Sequence, residues 1–177
     1  MQAMIKEYCK TLKIGRTFYL DYKDIEAASN EEFLLKLLKQ ELAQREISRK
    51  KRLLKSAGFD VLKTFQDYSF EYIDIPKTIS LESLKNAHFI KNKENLILYG
   101  PVGTGKTHLA TAIGVEACNQ GKAVKFFRTA ALVNQLSEAK ASGTLNKYMR
   151  QIQKCDLLIC DEWGYVPFEK GGAQLLF

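Results

Sequence analysis

A chain of 177 residues, 46% of them hydrophobic, can bury one full domain, and any further module has to be small. Its 27 Lys and Arg against 20 Asp and Glu leave a formal charge of +7, a balance that favours an acidic polymer such as nucleic acid over an acidic small molecule without separating DNA from RNA. No apolar run reaches the roughly 18 residues of a membrane span, and "MQAMIKEYCK" lacks the apolar core of a secretory signal, so a soluble cytoplasmic protein is expected. Cys9, Cys118, Cys155 and Cys160 show no paired metal-ligand spacing and read as structural or incidental reduced thiols.

The first strongly patterned stretch is "SNEEFLLKLLKQELAQREISRKKRLLKSAGF". Ser29 and Glu32 stand at capping-box spacing and Gly58 suits a left-handed stop, so a long helix over about 30–56 is expected. Leu34, Leu38 and Leu42 recur every four residues beside Phe33 and Leu37, which predicts one buried face in the first half. In the second half Arg45, Arg49, Lys50, Lys51, Arg52 and Lys55 crowd together with only Glu46 opposing them, and Leu53 and Leu54 restore an apolar contact. Such a run is a solvated helix face or a set of DNA contacts, and the sequence leaves both readings open.

Residues 60–95 have the character of a connector: "FQDYSFEYIDIP" is aromatic and acidic, Pro76 interrupts it, and "SLESLKNAHFI" is a short helix opened by Ser80. From Asn95 onward apolar strand signals alternate with helical patterns. Strands are expected at "LILY" (96–99), "AVKFF" (123–127) and "LLIC" (157–160), with helices at 106–119, 130–140 and 144–153. Short apolar strands separated by helices indicate a parallel sheet covered on both faces. The fold class is therefore α/β, with a parallel sheet covered by helices on both faces, preceded by a small helical domain. The boundaries fall at 1–70 for the basic helical domain, 71–94 for the connector and 95–177 for a partial α/β domain.

"GPVGTGKTHLA" carries the chemistry. Gly100 to Thr107 fit the phosphate-loop pattern G-x-x-x-x-G-K-[ST] at every fixed position, between a strand signal and a helix signal. Gly100, Gly103 and Gly105 let the backbone wrap closely around an anion, and the helix beginning at Lys106 adds its positive dipole end. Lys106 reaches the β- and γ-phosphates of ATP and Thr107 supplies a hydroxyl to Mg²⁺, while Pro101, Val102, Thr104 and His108 complete the wall around the phosphates. An apolar strand ending in a carboxylate should face this loop, and "CDLLICDEWGY" provides it. Asp161 suits the Mg²⁺ shell, and Glu162 suits a general base that polarises water for attack on the γ-phosphate. His88 and His108 have no partners at metal spacing, and Trp163 and Tyr165, before Pro167, read as packing over the strand tips.

Taken together, "NEEFLLKLLKQELAQRE", "RKKRLLKSAGF", "GPVGTGKTHLATAIGVEAC", "VKFFRTAALVNQL" and "LLICDEWGYVPF" with "GAQLLF" resemble the IstB-type transposition helper family from about residue 29 onward. The resemblance implies an AAA+ ATPase, similar to replicative helicase loaders, that assembles on DNA with ATP as a homo-oligomer and serves a partner transposase, IstA-like. It also implies that the N-terminal helices meet the partner and DNA. The sensor-1 residue, arginine finger and C-terminal lid of such proteins have no counterparts here. That departure is expected of a truncated frame or a partial sequence, with its phosphate-loop and acidic strands lacking their shared neighbour. A small-molecule P-loop kinase shares Gly100–Thr107, although the acidic pair and the basic N-terminus argue against it, and a non-enzymatic fragment that retains only binding is the third reading.

Overall fold

The computed structural model describes residues 1–71 and 73–163. The chain divides into two compact units, Met1–Lys51 and Arg52–Phe177.

In the first unit, helix α1 (Gln2–Thr11) and the short helix α2 (Arg16–Leu20) are followed by a 3-10 turn at Tyr22–Asp24 and by helix α3 (Asn30–Ala57), which continues into the second unit. The capping box forms. Ser29 Oγ accepts the Glu32 N–H at 3.2 Å, and the Glu32 carboxylate accepts the Ala28 N–H at 2.8 Å. Glu31 and Glu32 in the first turn complement the helix dipole.

The expected buried face of α3 is displaced. Leu34, Leu38 and Leu42 are 52%, 46% and 67% exposed, and the line that packs runs through Leu37 and Glu41. The Glu41 carboxylate explains the choice: its Oε1 accepts the Gly15 N–H at 2.9 Å and pairs with Arg45 at 2.6 Å. Arg45 in turn donates to the Lys13 carbonyl. Two short helices shield only one line of a long helix, and a unit this small lacks the mass to cover a second. The basic residues beyond Arg45 are mostly solvated, as expected, with Lys50 half-buried and paired to Glu46 at 2.9 Å.

In the second unit, Gly58 ends α3 at φ +82. The connector contains a 3-10 turn, Phe65–Asp67, then helix α4 (Leu81–Lys85), capped by Ser80 Oγ on the Ser83 N–H, and helix α5 (His88–Asn92). The single expected helix is split because Ala87 turns left-handed at φ +50. Helix α6 (Lys106–Asn119), strand β1 (Val124–Arg128), helix α7 (Thr129–Ala141), helix α8 (Leu145–Ile152) and strand β2 (Leu157–Asp161) complete the order.

Strands β1 and β2 are parallel, in a register that sets Val124 opposite Leu157 and Arg128 opposite Asp161. Helix α6 packs on both strands and α7 on β1. One core cluster joins Ala117 and Cys118 of α6 to Val124, Phe126 and Ile159 of the sheet and to Ala57. A second gathers Leu84, Ala87, Leu109 and Ile113 beneath the aromatic connector. Gly114 permits the close approach of α6 to the sheet, since a Cβ there would lie 2.8 Å from both Ile159 Cδ1 and Phe59 Cζ.

The expected strand at 96–99 forms no ladder among the described residues. It keeps the alternation of a strand: Leu96 and Leu98 pack on the second cluster, whereas Ile97 and Tyr99 are 81% and 92% exposed. Leu96 and Leu98 of this segment and Leu157 and Ile159 of β2 line a common cavity. Among the described residues no helix is long and apolar enough to cross a membrane.

Candidate functional site

Gly100–Gly105 form a loop between the extended segment 96–99 and α6. Gly105, the N-cap of α6, sits at φ +81, and its extra constraint is steric: a Cβ would lie 2.9 Å from Cε2 of Tyr68. No side chain caps α6, and its intrahelical bonding begins with the Leu109 N–H on the Gly105 carbonyl at 2.9 Å. The preceding N–H groups and the positive end of a 14-residue helix therefore face the loop, which is the arrangement that binds an anion.

Lys106 reaches into the loop, its Nζ donating to the carbonyls of Gly100 at 2.9 Å and Pro101 at 2.6 Å. The loop is braced by Thr104 Oγ1 on the Pro101 carbonyl at 2.9 Å, and Val102 at its tip is 81% exposed. Thr107 Oγ1 donates to Asp161 Oδ2 at 2.8 Å, joining two residues 54 positions apart. The phosphate-loop hydroxyl and the carboxylate at the end of the acidic strand thus converge on one point. A hydroxyl and a carboxylate oxygen at the mouth of an anion cradle are the hard donors that suit a magnesium ion.

Glu162 follows at φ +58, a left-handed conformation that costs a non-glycine residue on the order of 1 kcal/mol. Its side chain is exposed and lines the same cavity as Asp161. A cavity of about 1090 Å³ connects these parts. Its polar end comprises the loop with Lys106, Thr107, Asp161 and Glu162, and its apolar end comprises Leu96, Leu98, Ile113, Leu157 and Ile159. Trp163, expected to pack over the strand tips, lines this cavity and is 48% exposed; Tyr165 and Pro167 lie outside the described residues.

His108 faces away from the loop's mouth towards the connector. Its Nε2 lies 3.0 Å from the Thr64 carbonyl oxygen, and its ring stands 5.0 Å from that of Tyr68, which meets Phe70 edge-on at 5.1 Å. The connector is therefore a brace against the first turn of α6. Nothing local in "TFQDYSF" announces that contact. Sequence reading also missed Thr129, fully buried, whose Oγ1 donates to the Asp161 carbonyl at 2.7 Å and fixes the end of β2. Arg128, opposite Asp161 in the register, is held by Asp60 at 2.8 Å; that bond and charge, with a smaller contribution from Glu162, raise its pKa further.

Burial raises the Cys118 pKa to about 11 and pushes Cys155 and Cys160 upward as well, which suppresses thiolate near neutral pH.

The sequence profile of the family described as IstB-like ATP binding protein matches residues 19–177. The chain belongs to that family. A Geobacillus stearothermophilus protein, named for ATP binding and insertion sequence IS5376, is 33% identical over 182 residues, covering 100% of this chain and 72% of the relative. Similarly named proteins of IS21 in Pseudomonas aeruginosa and IS232 in Bacillus thuringiensis subsp. berliner are 35% and 32% identical, each over 82% of this chain. This chain spans 55% and 58% of those two relatives' lengths. Membership places the loop, α6 and the parallel pair β1–β2 within an IstB-like P-loop NTPase fold.

Proposed function

We propose that this chain binds ATP with Mg²⁺ and acts as an ATPase helper of DNA transposition, engaging DNA and a transposase in an ATP-dependent way. The observation that carries the reading is the Thr107–Asp161 contact, because it unites the two halves of a nucleotide-hydrolysing site. Lys106 exchanges its two carbonyl partners for the β- and γ-phosphates, and the N–H groups at the start of α6 bind the same anion. Thr107 and Asp161 are the residues that would hold Mg²⁺, which neutralises phosphate charge when bound. Glu162 accepts a proton from the attacking water. Its left-handed backbone supports the assignment, since strain of this kind concentrates where a side chain has to be aimed.

The partner assignments rest on family membership, the names of the relatives and the charge of +7. In this reading residues 1–70 contact DNA and the transposase, 71–94 connect, and 95–177 bind nucleotide and drive homo-oligomerisation. Labelled ATP with and without duplex DNA tests it: ADP and phosphate form, faster with DNA. Phosphate transferred to a small-molecule acceptor would replace the proposal with a kinase, and absence of nucleotide binding would reduce the chain to a binding fragment.

A further inference from the structure

A groove of about 700 Å³ runs between α1 and α2 in the first unit. Lys6 and Lys10 of α1 and Arg16 at the start of α2 line it, and Ile14 and Tyr19 contribute apolar surface. Lys6 and Lys10 are one helical turn apart and so stand on the same wall. All three cations are exposed, and none takes part in an ion pair among the described residues. No carboxylate lines the groove, and residues 1–20 carry Lys6, Lys10, Lys13 and Arg16 against Glu7 alone. Within the basic run of α3, by contrast, Arg45 and Lys50 are already paired with Glu41 and Glu46.

We propose that this groove is a docking surface for the phosphate backbone of duplex DNA, with Lys6, Lys10 and Arg16 as phosphate contacts. Lys6 and Lys10, one turn apart on α1, and Arg16 on α2 offer three cations from two helices with no carboxylate among the lining residues, which suits a polymer of repeated negative charge. The buried residues Cys9 and Tyr19 hold α1 and α2 in place, so the charges are presented from a fixed frame. The inference rests on the DNA-binding reading above and adds to the basic run of α3 a second surface for that binding. Successive members of the three sit four and six residues apart, so no continuous charge run marks them in the sequence.

Fluorescence anisotropy of a labelled duplex of arbitrary sequence, measured with the full chain at several salt concentrations, tests the groove. Each phosphate contact contributes about 0.9 to the slope of log affinity against log salt. K6Q/K10Q/R16Q should therefore flatten the slope by about two to three units, with unchanged circular dichroism and ATP affinity. K6R/K10R should retain the parental slope, since charge and not side-chain shape is at work. Parallel lines for the parent and the Gln variant would overturn the groove while leaving DNA binding intact. A parent that binds no DNA would overturn both readings. Vesicles containing phosphatidylserine are the second arm: loss of vesicle binding in the Gln variant, with an unaltered DNA slope, would reassign the surface to membranes.

Discussion

Replacing Gly105 with Ala places two separable loads on the loop. A residue other than Gly at φ +81 costs about 1–2 kcal/mol. The added Cβ would also stand 2.9 Å from Tyr68 Cε2 and 3.4 Å from its hydroxyl oxygen, so the ring has to retreat by roughly half an ångström to ordinary contact. That retreat is resisted by His108 at 5.0 Å and Phe70 at 5.1 Å, and overpacking of this kind costs about 1 kcal/mol or more. Gly105→Ala should thus lose about 2–3 kcal/mol in urea denaturation, and its ATP affinity should fall at least roughly ten-fold, because the distorted residue is the N-cap of α6. Tyr68→Ala removes the opposing ring. The double variant should therefore be less destabilised than the sum of the single variants by about 1 kcal/mol, with ATP binding still impaired by the dihedral strain. Strict additivity would refute the claim that the connector presses on the phosphate loop.

Glu162→Gln should keep ATP and Mg²⁺ binding and lose hydrolysis, because an amide cannot accept the proton of the attacking water; turnover at the parent rate in a phosphate-release assay would place the base elsewhere. K50Q/K51Q/R52Q should leave the fold intact, since exposed charges contribute little to stability, and flatten the salt slope of DNA binding by about one unit per lost phosphate contact. An unchanged slope would make this run a solvated helix face. The Cys118 thiol, raised from 9.0 to about 11 by burial, binds its proton more tightly folded than unfolded. Its contribution is complete below pH 9 and is lost as pH rises towards 11, about 2–3 kcal/mol in all, so Cys118→Ala should show a shallower decline of stability across that window in alkaline denaturation. Identical slopes for the two proteins would argue against the burial of this thiol.

Local chemistry made much of the fold legible. The helix expected at 106–119 forms at Lys106–Asn119 because a phosphate loop and an "NQG" stop bound it, with Gly121 left-handed at φ +81. Ser29 and Ser80 cap α3 and α4 as their spacing indicates. Pairing and coverage were less accessible. "LILY" has the composition and alternation of a strand, yet a strand is completed by its neighbour, and 96–99 has none among the described residues. The leucines of α3 announced an amphipathic helix, but which line is buried was decided by Glu41, a charged residue fixed by a Gly15 N–H 26 positions away. At the site, the phosphate-loop pattern and the acidic strand end singled out Thr107 and Asp161, which meet at 2.8 Å. Their supports, Thr129 beneath Asp161, Tyr68 against Gly105 and Asp60 on Arg128, are long-range contacts between residue types that are ordinary in themselves.

Titration calorimetry of ATP with Mg²⁺ into the parent chain and into Lys106→Ala tests the central claim most directly. Lys106 is the loop's own cation, already seated among the carbonyls of Gly100 and Pro101, and charge-assisted bonds to phosphate contribute roughly 1.5–3 kcal/mol each. The parent should bind one ATP and the variant should lose at least about ten-fold in affinity with its fold retained. Equal affinities in the two proteins would contradict the assignment of Gly100–Thr107 as the nucleotide site.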